Sequence, residues 1–118
     1  MNNKDFAKQL EQRTKSFALN VLKLTAKLPD TPEAKVIRYQ LAKSGTSVGA
    51  NYREANRSRS KADFKNKISI CIGEASESGY WLELIDEASL LKQKMISEIL
   101  IESNELLAIF TSIRANLK

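Results

Sequence analysis

Apolar residues recur at every third or fourth position along almost all of this chain, which is the spacing of one face of an α-helix. Four stretches carry such a face, and no stretch alternates apolar and polar residues as a half-buried strand would. The four faces are Ala7, Leu10, Thr14, Phe17, Val21, Leu24 and Leu28; Ala34, Ile37, Leu41, Ser44, Val48, Tyr52 and Ala55; Phe64, Ile68, Cys71, Ala75, Ser78, Leu82 and Ile85; and Ile96, Ile99, Ser103, Leu106, Phe110, Ile113 and Leu117. The spacing therefore predicts four amphipathic helices and an all-α protein.

Start and stop residues divide this pattern into helices. Pro29 ends the first helix, and Thr31 supplies an N-cap for a second helix that begins at the next residue, a proline. Ser60 and Asp63 form an S-x-x-D capping box, which starts a third helix just after Ser60. The helices are therefore predicted at about residues 4–28, 32–57, 61–88 and 93–117.

The join between the third and fourth helices is the least marked, because residues 88–93 contain neither glycine nor proline. An unbroken helix from residue 61 to residue 117 would extend about 85 Å. The shorter first two helices could not cover that length, so a turn is predicted within residues 88–93. Four helices joined by short links pack as an antiparallel up-down-up-down four-helix bundle. The chain has 118 residues, of which 42% are hydrophobic and 28% charged, so residues 1–118 are predicted to form this bundle as a single domain.

The composition excludes several classes of function. No apolar run approaches the roughly 18 to 20 residues of a membrane span, and the N-terminus lacks the apolar core of a signal peptide, so a cytoplasmic location is predicted. The chain has no histidine and one cysteine, Cys71, which leaves neither a protein-built zinc site nor a Cys-His nucleophile. Carboxylates on the third helix lack the histidines of a di-metal bundle site. We therefore expect no enzyme activity, no catalytic residue, no metal and no cofactor.

Charge is unevenly distributed along the chain, whose net charge is +5. Residues 1–59 hold 12 Lys and Arg against 5 Asp and Glu, a net charge of +7, whereas residues 60–118 hold 7 against 9, a net charge of −2. The strongest cluster surrounds the turn between the second and third helices, where six basic residues face only Glu54 and Asp63. The candidate nucleic-acid-binding residues are Arg53, Arg57, Arg59, Lys61, Lys65 and Lys67.

Lysine and arginine at this turn could neutralise phosphates without reading bases, which gives salt-sensitive binding with little sequence selectivity. The alternative is a solvated turn, or a turn in which Arg53 and Arg57 pair with third-helix carboxylates across a subunit interface. The candidate carboxylates for that pairing are Glu74, Glu77 and Glu83.

Small residues interrupt the apolar face of the second helix. Ala42, Gly45 and Gly49 lie three and four positions apart and share a face. Each glycine in a helix interior costs about 1 kcal/mol relative to alanine, so the pair requires a reason. Close packing inside the bundle and close packing between subunits both supply one, and the second makes Gly45 and Gly49 candidate interface residues. A phosphate-binding loop is the weakest alternative, because the Lys-Ser/Thr ending and the preceding strand of a P-loop are missing.

Tyr80 and Trp81 are adjacent on the third helix, so they cannot both lie on the core face that contains Ser78 and Leu82. At least one is predicted to point outward, as an anchor for a second subunit or a partner protein. A buried position is the main alternative. Base stacking is disfavoured by the surrounding carboxylates, which repel phosphate.

One long segment, residues 42–85, contains several of these features together and reads AKSGTSVGANYREANRSRSKADFKNKISICIGEASESGYWLELI. This segment resembles the bacterial four-helix bundle proteins that are encoded in intervening sequences of large-subunit ribosomal RNA genes and were once labelled ribosomal proteins. The resemblance rests on the S-G-T-S-V-x-A-N run, the Arg-Ser turn, the Ala-Asp-Phe start and the Tyr-Trp-Leu segment, while the first and last helices match only in pattern. It implies a bundle that assembles into a ring-shaped homopentamer. More distant relatives, the accessory proteins of diversity-generating retroelements, bind nucleic acid and a reverse transcriptase.

The leading hypothesis is a non-enzymatic, homo-oligomeric bundle that binds RNA or single-stranded DNA through the basic turn with low sequence specificity. The alternative is a protein-interaction scaffold, or an accessory subunit of a nucleic-acid enzyme such as a reverse transcriptase. In that case the basic residues make subunit contacts, and Tyr80 and Trp81 lie at a contact surface.

Overall fold

Four helices make up the architecture of the computed structural model, which describes residues 3–117. They are α1 (Asn3–Thr25), α2 (Pro32–Asn56), α3 (Lys61–Glu87) and α4 (Gln93–Ala115). The predicted all-α class is confirmed, and residues 3–117 contain no strand. The first helix ends three residues before the predicted position, because Lys27 and Leu28 donate to carbonyls three residues back, at Leu24 and Thr25, and so form a tighter turn.

Each helix packs against its neighbours in the chain, and α4 closes the bundle by lying beside α1. The bundle is 44 × 25 × 20 Å. Because the links are short, the direction of the chain alternates from one helix to the next. The end of α2 and the start of α3 therefore lie at one end of the bundle, together with the start of α1 and the end of α4.

The core consists of the four predicted faces. Ala7, Ile37, Phe64, Ile113 and Leu117 are only half-buried, and all other members of the four faces are buried. Removing a large apolar side chain of this kind from water stabilises the fold by about 1.5–3 kcal/mol. The apolar spacing therefore identified the core as well as the helices.

Small residues occupy the middle of the core and set how closely the helices approach. The Ser78 hydroxyl lies 3.1 Å from that of Ser44, which joins α3 to α2. A Cβ atom added to Gly79 would lie 3.4 Å from Ser103 Oγ, so α3 and α4 also come close at this level. The buried hydroxyls of Ser78 and Ser103 each donate to a carbonyl of their own helix, so they carry no unsatisfied donor.

Gly45 and Gly49 are explained by contact between α1 and α2 of the same chain. A Cβ atom at Gly45 would lie 2.8 Å from Val21 Cγ1, and one at Gly49 would lie 3.0 Å from Thr14 Oγ1. The first distance is too short for a real Cβ contact, so a side chain at Gly45 would force α1 and α2 apart, and a side chain at Gly49 would require Thr14 to shift by a few tenths of an ångström. This packing favours the intrachain explanation of the small-residue stretch, and the assignment of Gly45 and Gly49 to a subunit interface stays a prediction.

The turn between α3 and α4 uses a serine where a glycine is usual. Ser89 adopts a positive φ of 54°, in the left-handed region. Its N–H donates to Asp86 O at 3.1 Å, and the N–H of Leu90 donates to Ile85 O at 3.0 Å. These are the two hydrogen bonds of a Schellman motif, which ends a helix. Sequence reasoning placed the turn in this segment from length alone, because serine is a weak signal for this conformation.

Two arginines outside the predicted nucleic-acid-binding residues hold helices together. Arg38 of α2 donates from Nε to Thr25 O at 3.2 Å and from Nη2 to Leu28 O at 2.9 Å, and so satisfies carbonyls at the end of α1. Arg13 of α1 donates to both carboxylate oxygens of Glu102 at 2.7 Å and to Glu105 at 2.6 Å, and so links α1 to α4. The hydrogen bond to Glu102 raises the pKa of Arg13, although burial opposes that effect.

Candidate nucleic-acid interface

The basic turn comprises residues 53–67 and is held in shape by caps at both of its helix ends. Arg57 is the C-cap of α2, and its N–H contacts Ala55 O and Glu54 O. The next residue, Ser58, donates from its hydroxyl to Ala55 O at 2.6 Å. Ser60 accepts a hydrogen bond from the Asp63 N–H at 3.0 Å and so caps α3, as the S-x-x-D pattern predicted. Only four residues, 57–60, separate the two helices, so the basic side chains at the two helix ends stay close together.

The six predicted residues differ in their exposure. Arg53, Arg57, Arg59 and Lys61 are exposed, whereas Lys65 and Lys67 are half-buried. Of these six, Arg53 alone lies within salt-bridge distance of a carboxylate of residues 3–117, at 3.9 Å from Glu11 Oε1. The other five cations have no ion pair inside the described part of the chain. Their charge is therefore available to an external anion, and this is the main electrostatic property of this end of the bundle.

A groove of about 500 Å³ lies at the turn itself. It brings together Arg57, Arg59 and Lys67, and Asp63 and Glu54 also line it. Arg53 faces a different groove, and Lys61 and Lys65 line neither of the two. The predicted site is therefore split, with three of its six cations around one depression and the rest spread over its surroundings.

A second groove, of about 530 Å³, lies between α1 and α2. It shares Glu54 and Arg57 with the turn groove, and it adds Arg53 and Lys15. Its full lining is Glu11, Thr14, Lys15, Ala18, Thr46, Gly49, Ala50, Arg53, Glu54 and Arg57. Sequence reasoning missed Lys15, because only the antiparallel packing of α1 on α2 brings it beside residues that lie almost 40 positions further along the chain.

Glu11 of α1 lines the second groove and limits its positive charge. Asn56 donates from Nδ2 to Glu11 Oε2 at 2.8 Å, and Arg53 lies 3.9 Å from the other carboxylate oxygen. The predicted alternative pairing of Arg53 and Arg57 was with carboxylates of α3 in another subunit. The structure adds a partner for Arg53 in the same chain, at the long end of salt-bridge distance.

Tyr80 and Trp81 lie on the α3 outer face, which we define as Ile70, Gly73, Glu74, Ser76, Glu77, Tyr80 and Trp81 around a shallow depression of about 730 Å³. Tyr80 is 54% exposed, whereas Trp81 is half-buried and packs against the core. Their rings make an edge-to-face contact, with centroids 5.1 Å apart and planes at 68°. One aromatic therefore points outward and the other bridges the surface and the core.

Three features of the α3 outer face are costly for an isolated chain. Trp81 Nε1 is buried without a hydrogen-bond partner among the described residues. Gly73 has open space where a Cβ atom would lie, so nothing in the bundle requires a glycine there. Burial raises the pKa of Glu74, and the neighbouring Glu77 raises it further, while Lys43 and Ser47 act in the opposite direction. Such features are typical of a surface that is covered in an assembly.

The other candidate features of the sequence are Cys71, the acidic residues and the apolar helices. Cys71 is buried, its Sγ lies 3.5 Å from Val48 O, and burial raises the pKa of its thiol to about 12, so little reactive thiolate forms at neutral pH. Among residues 3–117, no group of three or more His, Cys, Asp or Glu side chains is placed to hold a metal ion. In the same part of the chain, no helix has the length and apolar character needed to cross a membrane.

Comparison with known proteins identifies a family and a similar solved structure. The sequence profile of the family described as "23S rRNA-intervening sequence protein" matches residues 7–112. The chain is also similar to a crystal structure from Bacteroides thetaiotaomicron, described as a protein with unknown function from the S23 ribosomal protein family. The two share 35% sequence identity and a TM-score of 0.82, over 88% of this chain and 96% of that one. No curated protein matches the chain.

Proposed function

This chain belongs to the 23S rRNA-intervening sequence protein family, and from that premise we propose that it is a non-enzymatic, cytoplasmic nucleic-acid-binding bundle. Its ligand is RNA or single-stranded DNA, held at the basic turn through phosphates rather than bases. The observation that carries the proposal is the convergence of six cations on one end of the bundle, five of them without an ion pair in the described chain. Cations left unpaired in this way release bound counterions when phosphates replace them, which drives association.

The geometry favours backbone contacts over base recognition. No aromatic side chain lines either basic groove, so neither offers a platform on which bases could stack. Of the exposed aromatic residues, Tyr80 lies beside Glu74 and Glu77, which repel phosphate, and Phe6 and Tyr39 line neither basic groove. Binding should therefore depend on salt and little on sequence.

The test is fluorescence anisotropy of labelled single-stranded RNAs of unrelated sequence, measured from about 50 to 200 mM salt. Replacing Arg53, Arg57 and Arg59 together with alanine should weaken binding about 10- to 100-fold for every sequence and reduce the salt slope by about two units, since each lost contact to a single strand removes about 0.7. The control variant replaces Lys23, Lys27 and Lys94, which are exposed and lie away from the turn, and so loses the same net charge. Equal weakening in both variants would remove the turn as the site.

We also propose that the protein is a homo-oligomer, as the family resemblance implies in the form of a homopentamer, and that the α3 outer face is covered in it. The exposed ring of Tyr80, the unpartnered Trp81 Nε1 and the uncovered Gly73 support this proposal. Sedimentation velocity of Tyr80→Glu should show a smaller species than the unmodified protein, whereas Ser97→Glu, an exposed position on α4, should leave its size unchanged. An unmodified protein that sediments as a monomer would exclude self-association.

A second candidate function is that of a scaffold or an accessory subunit for a nucleic-acid enzyme such as a reverse transcriptase. It is favoured by the same α3 outer face, which has the apolar and aromatic character of a protein-binding surface. Affinity capture from a lysate treated with nuclease separates the two functions. Partners that persist without nucleic acid and are lost in Tyr80→Glu would support the scaffold, whereas loss of all partners would support nucleic-acid binding.

A further inference from the structure

The basic turn adjoins the groove between α1 and α2, because two residues of the turn also line that groove. Glu54 and Arg57 line both depressions. From Arg57 the α1–α2 groove runs along α2 as far as Thr46 and across to Lys15 on α1. Arg57 lies eleven positions after Thr46, which is about 16 Å along the helix axis. The two grooves therefore adjoin at Glu54 and Arg57, and together we call them the trough.

The floor of this trough is formed by small residues. Ala18, Gly49 and Ala50 line it, and α1 packs so closely on Gly49 that even a Cβ atom there would lie 3.0 Å from Thr14 Oγ1. The Thr14 hydroxyl already donates within its own helix, to Leu10 O at 2.9 Å. The floor therefore presents neither bulky side chains nor strong donors, and a flexible polymer could lie close to the helices.

The charges of the trough lie at its edges. Lys15 is exposed on the α1 side and has no ion pair within residues 3–117, and Arg53 and Arg57 lie on the α2 side. Three carboxylates, Glu11, Glu54 and Asp63, also line the trough, and Glu11 already accepts a hydrogen bond from Asn56 at 2.8 Å. Cations on both edges, with small residues between them, suit a ligand whose negative charges repeat along its length.

From this arrangement we infer that the α1–α2 groove holds the phosphodiester backbone of a single strand that continues from the basic turn, with Lys15 as a contact on the α1 side. The inference rests on the proposed function and adds to it a second segment of binding site and a residue from a distant part of the chain. The contacts are to phosphates alone. Single-stranded RNA and single-stranded DNA of equal length and sequence therefore bind alike, because nothing in the trough depends on a base or a 2′-hydroxyl.

Two substitutions test the groove without altering the turn. Lys15→Ala removes the cation of the α1 edge, and its control is Lys23→Ala, an exposed lysine of the same helix on the side that faces α4. Ala50→Glu places a carboxylate over the floor, and its control is Ala108→Glu, an exposed alanine on α4. All four positions are in helices, exposed and outside the core, so circular dichroism should confirm that the folds are retained.

The probes are a labelled 20-nucleotide oligouridylate and the matching oligodeoxyuridylate. For Lys15→Ala we expect about 3- to 10-fold weaker binding of both probes and a salt slope lower by about 0.7, because one phosphate contact is lost. Ala50→Glu should weaken binding at least as much, and each control should change it less than 2-fold. If either test variant bound the probes like its control, the inference about the α1–α2 groove would be overturned. In that case, weaker binding by the variant that replaces Arg53, Arg57 and Arg59 would still support the proposed turn site. An unmodified protein that binds neither probe at 50 mM salt would overturn both.

Discussion

Gly45 lies in the middle of α2, where its α-carbon faces Val21 of α1, and Gly73 lies in the middle of α3 with open space above it. The same residue type is present for different reasons at these two positions. At Gly45 the bundle itself forbids a side chain, because Val21 is fully buried and cannot move aside. At Gly73 nothing inside the bundle excludes a side chain, so the glycine weakens the helix without any benefit to the isolated chain.

This difference predicts opposite effects of the same substitution. Gly45→Ala should lower the free energy of unfolding by about 1–3 kcal/mol, because its Cβ atom would overlap the Val21 side chain and force α1 and α2 apart. Gly73→Ala should raise the free energy of unfolding by up to about 1 kcal/mol, through the higher helix propensity of alanine. Urea unfolding of both variants, followed by circular dichroism, checks the pair. A stabilised Gly45→Ala would contradict the close packing of the two helices.

At the scale of elements, the ends of the helices follow their capping chemistry except at the α3–α4 turn. Thr31 accepts from the Ala34 N–H at 3.2 Å, and Ser60 caps α3 in the same way. Ser89, in contrast, holds a left-handed conformation that costs a residue with a Cβ atom about 1–2 kcal/mol. The hydrogen bonds of the Schellman motif compensate for that cost.

Ser89→Gly should therefore raise the free energy of unfolding by about 1 kcal/mol, because glycine adopts this conformation without the Cβ penalty. The matched control is Ser97→Gly, an exposed position inside α4 where glycine should instead lower stability by about 0.5 kcal/mol. Thermal and urea unfolding of the two variants give the comparison. Destabilisation by Ser89→Gly would mean that the turn does not use a left-handed residue.

At the scale of the whole molecule, charge divides the bundle into regions with different roles. One end carries the basic turn, and the α3 outer face carries Glu74, which is partly removed from water, and the exposed Glu77. Arg13, with Glu102 and Glu105, closes the bundle between α1 and α4. The net charge of +5 therefore understates how strongly an anion would be drawn to one end.

The raised pKa of Glu74 predicts the pH dependence of stability. A carboxyl whose pKa is higher in the folded chain than in the unfolded chain binds its proton more tightly when folded, so stability falls as the pH rises through these two values. Glu74→Gln should therefore stabilise the protein at pH 7, and the gain should disappear when the pH is taken below the ordinary range for glutamate. Urea unfolding at pH 3.5 and pH 7, which are about 0.8 unit below and well above the ordinary glutamate pKa, checks this, with Glu83→Gln, an exposed carboxylate of the same helix, as the control. A gain of equal size at both pH values would contradict the assignment.

The sequence by itself determined the helices, their order and nearly all of the core. The three-four spacing of apolar residues is a local property, and burying each face leaves few arrangements open to four short-linked helices. Thr31 and Ser60 marked helix starts for the same reason, since a cap acts within four residues of itself. The basic turn could be predicted too, because its residues are close in the sequence.

Only the tertiary structure decided which residues from distant segments of the chain contact one another. It placed Lys15 beside Arg53 and Arg57, set Val21 against Gly45, and joined Arg13 to Glu102, which lies 89 positions away. It also decided which of the two neighbouring aromatic residues faces solvent, since Tyr80 is exposed and Trp81 is half-buried. Local patterns record which face of a helix is buried, whereas the partner of each face is set by the packing of one helix on another, and that packing appears only when the chain is folded.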